Sequence, residues 1–153
     1  MRNNFSEFDS IEPLNPILVN RGEDVNISSR LVEASDKFLP LSGYDVNYEF
    51  SGSSIGVAVT NGDGLANITF SIPYTQPLGL TTVSIIFDGS SDLRSTNTSF
   101  STINVRSITF IVIDDIAENP VAGEQLNISG KVTSDNGSGL EQIDGTVLPA
   151  NIL

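Results

Sequence analysis

The sequence has no cysteine, no histidine and no tryptophan, and only 7 basic side chains stand against 19 acidic ones in 153 residues. Without thiols or imidazoles there is no disulfide, no zinc site built on Cys or His, no thiol nucleophile and no catalysis with histidine as base. The missing cysteines do not decide the compartment, because a secreted domain of sufficient size folds without disulfides. A net charge of −12 repels a nucleic-acid backbone and an anionic bilayer surface alike. No apolar run approaches the ~20 residues that span a bilayer, and the first ten residues lack the apolar core of a signal peptide. Neither a nucleic-acid partner nor membrane insertion in this segment is expected. The chain is either intracellular or a piece of a longer protein whose leader lies elsewhere.

Helical periodicity is absent too, and what replaces it is a two-residue alternation in short runs. Residues 44–50 alternate without a fault, with Tyr44, Val46, Tyr48 and Phe50 on one side and Asp45, Asn47 and Glu49 on the other. Residues 17–19, 25–31, 81–87 and 98–105 read as further strands, and 1–14 as an irregular lead-in containing Pro13. A loop is expected through Ser35, Asp36 and Pro40. The strongest local signal is Asn61-Gly-Asp-Gly64 between two alternating runs, residues 55–59 and 66–72. Residues that tolerate φ > 0 flanked by alternating apolar positions predict a β-hairpin. Seven or so short strands at 8–12-residue spacing give an all-β fold class, an Ig-like antiparallel β-sandwich.

The C-terminal part repeats the N-terminal part. Gly22-Glu-Asp-Val-Asn-Ile-Ser28 recurs as Gly123-Glu-Gln-Leu-Asn-Ile-Ser129, an offset of 101 residues, and Ser29-Arg-Leu31 falls opposite Gly130-Lys-Val132. That period is one Ig-sized domain. The expected organisation is a lead-in over 1–14, one sandwich over 15–106, and the first strands of an incomplete second copy over 107–153. Two or three strands with one apolar face need a cover. Neighbouring repeats of a tandem array would supply it. Alternatively, the strand from Ser107 to Ile113 self-associates by adding to another copy's sheet, as in fibre-forming subunits.

The pattern Gly22-x-x-Val-x-Ile, Gly43-x-x-Val-x-Tyr-x-Phe, Asn61-Gly-Asp-Gly-Leu-Ala-x-Ile-x-Phe and Leu78-Gly-x-x-x-Val-x-Ile-x-Phe-Asp-Gly89 resembles the bacterial Ig-like (Big) repeats. The likeness covers about residues 15–106 and the start of 107–153. Such repeats occur in tandem in bacterial and archaeal cell-surface, adhesin and S-layer-associated proteins. The resemblance implies an extracellular or cell-envelope location and a spacer or adhesion module without catalytic residues. No family site carries over, since these repeats share a scaffold rather than a site. Two other readings stay open: an adhesive module binding carbohydrate or protein, and an accessory domain of a secreted hydrolase.

Six Asn-x-Ser/Thr sequons mark glycosylation candidates at Asn4, Asn26, Asn67, Asn97, Asn127 and Asn136. A chain this rich in Asn, Ser and Thr also generates sequons by chance. Asp114 and Asp115, with Glu118, Asn119 and Glu124 nearby, fall at the expected junction between copies, where calcium would stiffen a string of domains. Their spacing fits no defined calcium loop, so a solvated acidic linker is the simpler reading and no cofactor is expected. Asp88 and Asp92 are a carboxylate pair of the kind used in glycosidase-like acid–base work, but beside Gly89 and Ser90-Ser91 they read as exposed turn formers. Tyr44 and Tyr48 share the apolar side of their strand, which makes them core before they are a sugar-stacking face.

Overall fold

The structure, a computed structural model, describes residues 4–114, 121–126 and 128–135, with only the backbone of Lys37 and Phe38. The chain separates into two compact units, Met1–Arg106 and Ser107–Leu153. Among the described residues, no helix is long and apolar enough to cross a membrane.

Among its described residues the first unit holds nine strands: β1 (Ser6–Glu12), β2 (Ile17–Asn20), β3 (Asp24–Glu33), β4 (Asp36–Pro40), β5 (Asp45–Phe50), β6 (Ser53–Val59), β7 (Leu65–Ser71), β8 (Gly79–Phe87) and β9 (Thr96–Arg106). They form two sheets. In one, β3 is central, with β1 along one edge and β7 then β4 along the other. The second runs β2-β9-β8-β5-β6, antiparallel except where β2 lies parallel to β9. The chain thus starts in one sheet and crosses to the other between β1 and β2.

Alternation explains how the sheets meet. Val25 and Ile27 of β3 and Ala66 of β7 face Val46, Tyr48, Val83, Ile85, Ile103 and Val105 of the second sheet in one buried cluster. Each large aliphatic in it contributes ~1.5–3 kcal/mol by leaving water. A smaller cluster of Leu31, Leu41, Phe87 and Leu93 closes the other end. Tyr48 is fully buried, and its hydroxyl donates to the Ala66 carbonyl (2.9 Å), so the Ser29 hydroxyl 2.9 Å away is the donor to it. One tyrosine therefore ties β5 to both β3 and β7 across the core.

Four local expectations differ from the structure. The runs around Asn61–Gly64 are strands, but they do not pair with each other: β6 pairs with β5, and β7 with β3. The turn is formed as its residues predict, with the Asn61 side chain accepting from the Asp63 and Leu65 amides. Its two ends, however, belong to different sheets. Thr60 exchanges backbone bonds with Gly43 and Tyr44, while the Gly64 carbonyl accepts from the Leu31 amide of β3. A Cβ on Gly64 would sit 2.4 Å from the Leu31 carbonyl oxygen, so the crossing needs glycine there. In β6, Ile55 is an extra residue opposite the Tyr48–Glu49 step. This bulge shifts the phase of the strand. Ile55 packs against the core, while Val57 and Val59 face solvent. The supposed lead-in contains β1, a full partner of β3 with its own bulge at Asp9. The loop expected through Asp36 and Pro40 is the short edge strand β4. The strand count rises from about seven to nine accordingly.

In the second unit, β10 (Thr109–Ile113) pairs antiparallel with β11 (Gly130–Ser134). The pairing reproduces that of β1 and β3. Ile111 faces Val132 where Phe8 faces Leu31, and Ile113 faces Gly130 where Ile11 faces Ser29, each partner being 101 residues on. Only the Asp9 bulge is missing. The turn before β3 recurs too: Glu23 N–H donates to the Asn20 carbonyl and Glu124 N–H to that of Val121, with φ of +83° at Gly22 and +91° at Gly123.

Candidate functional site

The outer face of β3 and β7 brings two sequons together. Asn26 lies opposite Thr69, and Ser28 opposite Asn67, so each acceptor asparagine meets the hydroxyl residue of the other sequon. The Asn26 amide donates to Thr69 Oγ1 at 3.2 Å. Both asparagines are exposed, because alternation leaves this face to solvent while Val25, Ile27 and Ala66 go inward. Asn97 is exposed on β9, beside a ladder of hydroxyls in which Ser84 meets Ser99 and Thr82 meets Ser101. Asn4 is half-buried, its backbone bonded to Asp92 and Arg94. Asn127 and Asn136 lie outside the described residues.

Of the acidic stretch, Asp114 and Glu124 fall among the described residues. Asp114 follows β10 directly, its amide donating to the Ser129 carbonyl (2.8 Å) and its carboxylate accepting from the Ser129 hydroxyl (2.7 Å). In the first unit Glu12 holds the corresponding place, opposite Ser28. Asp114 therefore stands just past β10 in the place that Glu12 holds at the end of β1. Asp115, Glu118 and Asn119 lie outside the described residues. Among the described residues no group of three or more acidic side chains is placed to hold a metal ion.

A shallow groove of about 450 Å³ opens at the start of β5. Its walls include Tyr44, Asp45 and Asn47 of that segment, Val57 of β6, and Asp88 after β8. Tyr44 stands edge-on to Phe87, with centroids 5.4 Å apart at 74°, which fixes its ring while leaving it half-exposed. The Asn47 amide donates to the Asp88 carboxylate at 3.2 Å. The groove offers a ring edge, an amide and two carboxylates, a set that hydrogen-bonds polyols. The two tyrosines of β5 and its approach part company: Tyr48 is core, while Tyr44 is the mouth of this groove. Val57 joins the groove because the β6 bulge turns it outward, onto the side where alternation already puts Asp45. Asp92 does not line the groove; its backbone carbonyl accepts from Asn4.

Two titratable groups are displaced from their ordinary range. Burial pushes the Tyr48 phenol up, its charged form being disfavoured away from water, and the Ser29 hydroxyl opposes this in part. The Asn20 backbone amide, and then the Asn20 side-chain amide, hold the exposed Glu23 carboxyl below the usual range.

No family model matches the sequence, and no curated protein matches it. Among solved structures, one chain of a Ca2+-stabilized adhesin that helps an Antarctic bacterium reach out and bind ice aligns over 87% of this chain at 12% identity, with a TM-score of 0.39. The alignment covers 33% of that adhesin chain, so this chain spans about a third of its length. A likeness at that score carries no argument about calcium, ice or adhesion in the present protein.

Proposed function

We propose that this chain is part of a tandem array of Ig-like repeats in an extracellular or cell-envelope protein, with a non-enzymatic role as a structural spacer. The reading rests on one observation: β10 and β11 adopt the register of β1 and β3, with the same glycine turn between the two strands, 101 residues on. The lack of His and Cys supports the same reading, as does the resemblance to bacterial Ig-like repeats. The test is to extend the chain past residue 153 along its gene and to shave intact cells with protease. Further copies at the same spacing, and release of peptides from this segment by shaving, are the expected result. A catalytic domain directly after the second copy would turn the reading to the accessory domain of a secreted hydrolase, and protection from shaving would overturn the location.

The groove beside Tyr44 favours a second reading, an adhesive module for a neutral saccharide. Titration with such saccharides would then move the Tyr44 ring and Asn47 side-chain NMR signals, and unmoved signals would remove it. Exposure of Asn26, Asn67 and Asn97 also suits a glycosylated surface protein. Intact-mass measurement on native material shows which of the three carries glycan.

A further inference from the structure

We propose that β7 is a self-association edge, where two copies of this chain join by antiparallel β7–β7 pairing into one continuous sheet. Open edges are dangerous in β proteins, which blunt them with charges, prolines, bulges or shortness. The other edges of the first unit follow that rule. β1 carries Glu7, Asp9 and Glu12 and bulges at Asp9; β2 has four residues and follows Pro16; β4 contains Asp36, Lys37 and Pro40; β6 is bulged at Ile55. β7 has none of these devices. Its seven residues run in unbroken register with β3, without charge or proline, and among the described residues β3 is its sole strand partner.

The surroundings match. Between Glu49 and Asp88 the chain has a single charged residue, Asp63, in a protein whose net charge is −12. Two copies repel each other over most of their surface, so a charge-free edge is where like can approach like. A basic partner would instead be drawn to the acidic surfaces, which is why a second copy is the better occupant. Ile68 and Phe70 point to the core side yet stay only half-buried, since β7 is the last strand there.

The edge is also self-complementary. A two-fold axis through Ile68 sets Ile68 against its own copy, Ala66 against Phe70, and Asn67 against Thr69 on the outer face. The last of these pairs is the one already made between β3 and β7, where the Asn26 amide donates to Thr69. Cross-strand aliphatic pairs and amide–hydroxyl pairs of this kind stabilise antiparallel sheets.

The test is sedimentation of the whole chain, made in a host without N-glycosylation because a glycan on Asn67 would stand at the joint. The expected result is a monomer–dimer equilibrium between micromolar and millimolar concentration that tightens with added salt, as screening reduces the repulsion. The double variant N67K/T69K places lysine opposite lysine on both sides of the axis and should weaken the dimer about tenfold or more. The control N97K/S99K adds the same charge on β9 and should leave or tighten it. Concentration-dependent hydrogen-exchange protection of the residue 66–70 amides checks the site independently of any variant. A monomer throughout, or a dimer indifferent to N67K/T69K with no added protection at β7, overturns the proposal.

Discussion

The two strand pairs β1–β3 and β10–β11 have one register and opposite environments. Ile27 is fully buried beneath the second sheet of its unit, whereas Ile128, the same residue 101 positions on, is half-exposed. Ile111 takes the place of Phe8, yet it is 72% exposed while Phe8 packs into both hydrophobic clusters. Pairing and turn geometry are local, set by a glycine at positive φ and a run of alternating residues. Burial is not local: in the first unit it is supplied by β5, β8 and β9, which come later in the chain. The comparison separates what a strand pair contributes by itself from what a sandwich adds.

The strongest way to break the comparison is to remove the same methyl groups from both copies. Ile27→Ala should cost about 3 kcal/mol, as for other fully buried aliphatics, while Ile128→Ala should cost about 1 kcal/mol or less in its own unit. Urea denaturation followed by tyrosine fluorescence reads the first unit alone, because Tyr44, Tyr48 and Tyr74 all lie there. An unchanged tyrosine transition in Ile128→Ala is the expected outcome. Next in size is the link across the core. Tyr48→Phe leaves the Ala66 carbonyl and Ser29 without their buried partner and should cost about 1–2 kcal/mol.

The same residue predicts a pH dependence. The folded-state phenol titrates above the unfolded one, so its contribution is full below the unfolded pKa of about 10 and is lost as pH rises through the folded value. Melting temperature should therefore fall on the alkaline side, and less steeply in Tyr48→Phe. Smaller again are the two turn glycines. Gly123→Ala should cost only the strain of positive φ, about 1 kcal/mol. Gly22→Ala should cost more, since its new methyl would meet the Tyr74 ring, with the hydroxyl oxygen 2.5 Å and the ring carbon bearing it 2.8 Å away, whereas none of the described residues lies within 4 Å at Gly123. Thermal denaturation, read by tyrosine signal for one and by amide exchange at β10 and β11 for the other, compares them. The smallest effect concerns Glu23. Asn20→Val copies the residue at position 121, removes the side-chain amide donor, and should move the Glu23 carboxyl back toward its usual range in a carbon-13 NMR titration.

Much of the fold was legible residue by residue. The inward set Val46, Tyr48 and Phe50 followed from alternation, because side chains on a strand have only two directions to choose between. The phase was lost where a bulge intervened: Val57 and Val59 share the parity of Ile55 in the sequence but not its side of the sheet. The candidate groove was illegible for a related reason. Tyr44, Asn47 and Asp88 are up to 44 residues apart, and the pairing of β5 with β8 is what brings them together.

By itself, the sequence determined the strand alternation, the glycine turns, the 101-residue repeat and the acidity, all of which depend on near neighbours or on composition. Tertiary structure alone decided which strands pair. Asn61–Gly64 was a sound turn prediction, yet the turn carries the chain from one sheet to the other, because β5 and β3 offer β6 and β7 better-covered places than they could offer each other. An isolated hairpin has nothing to bury its apolar face against; two sheets closing over Tyr48 do.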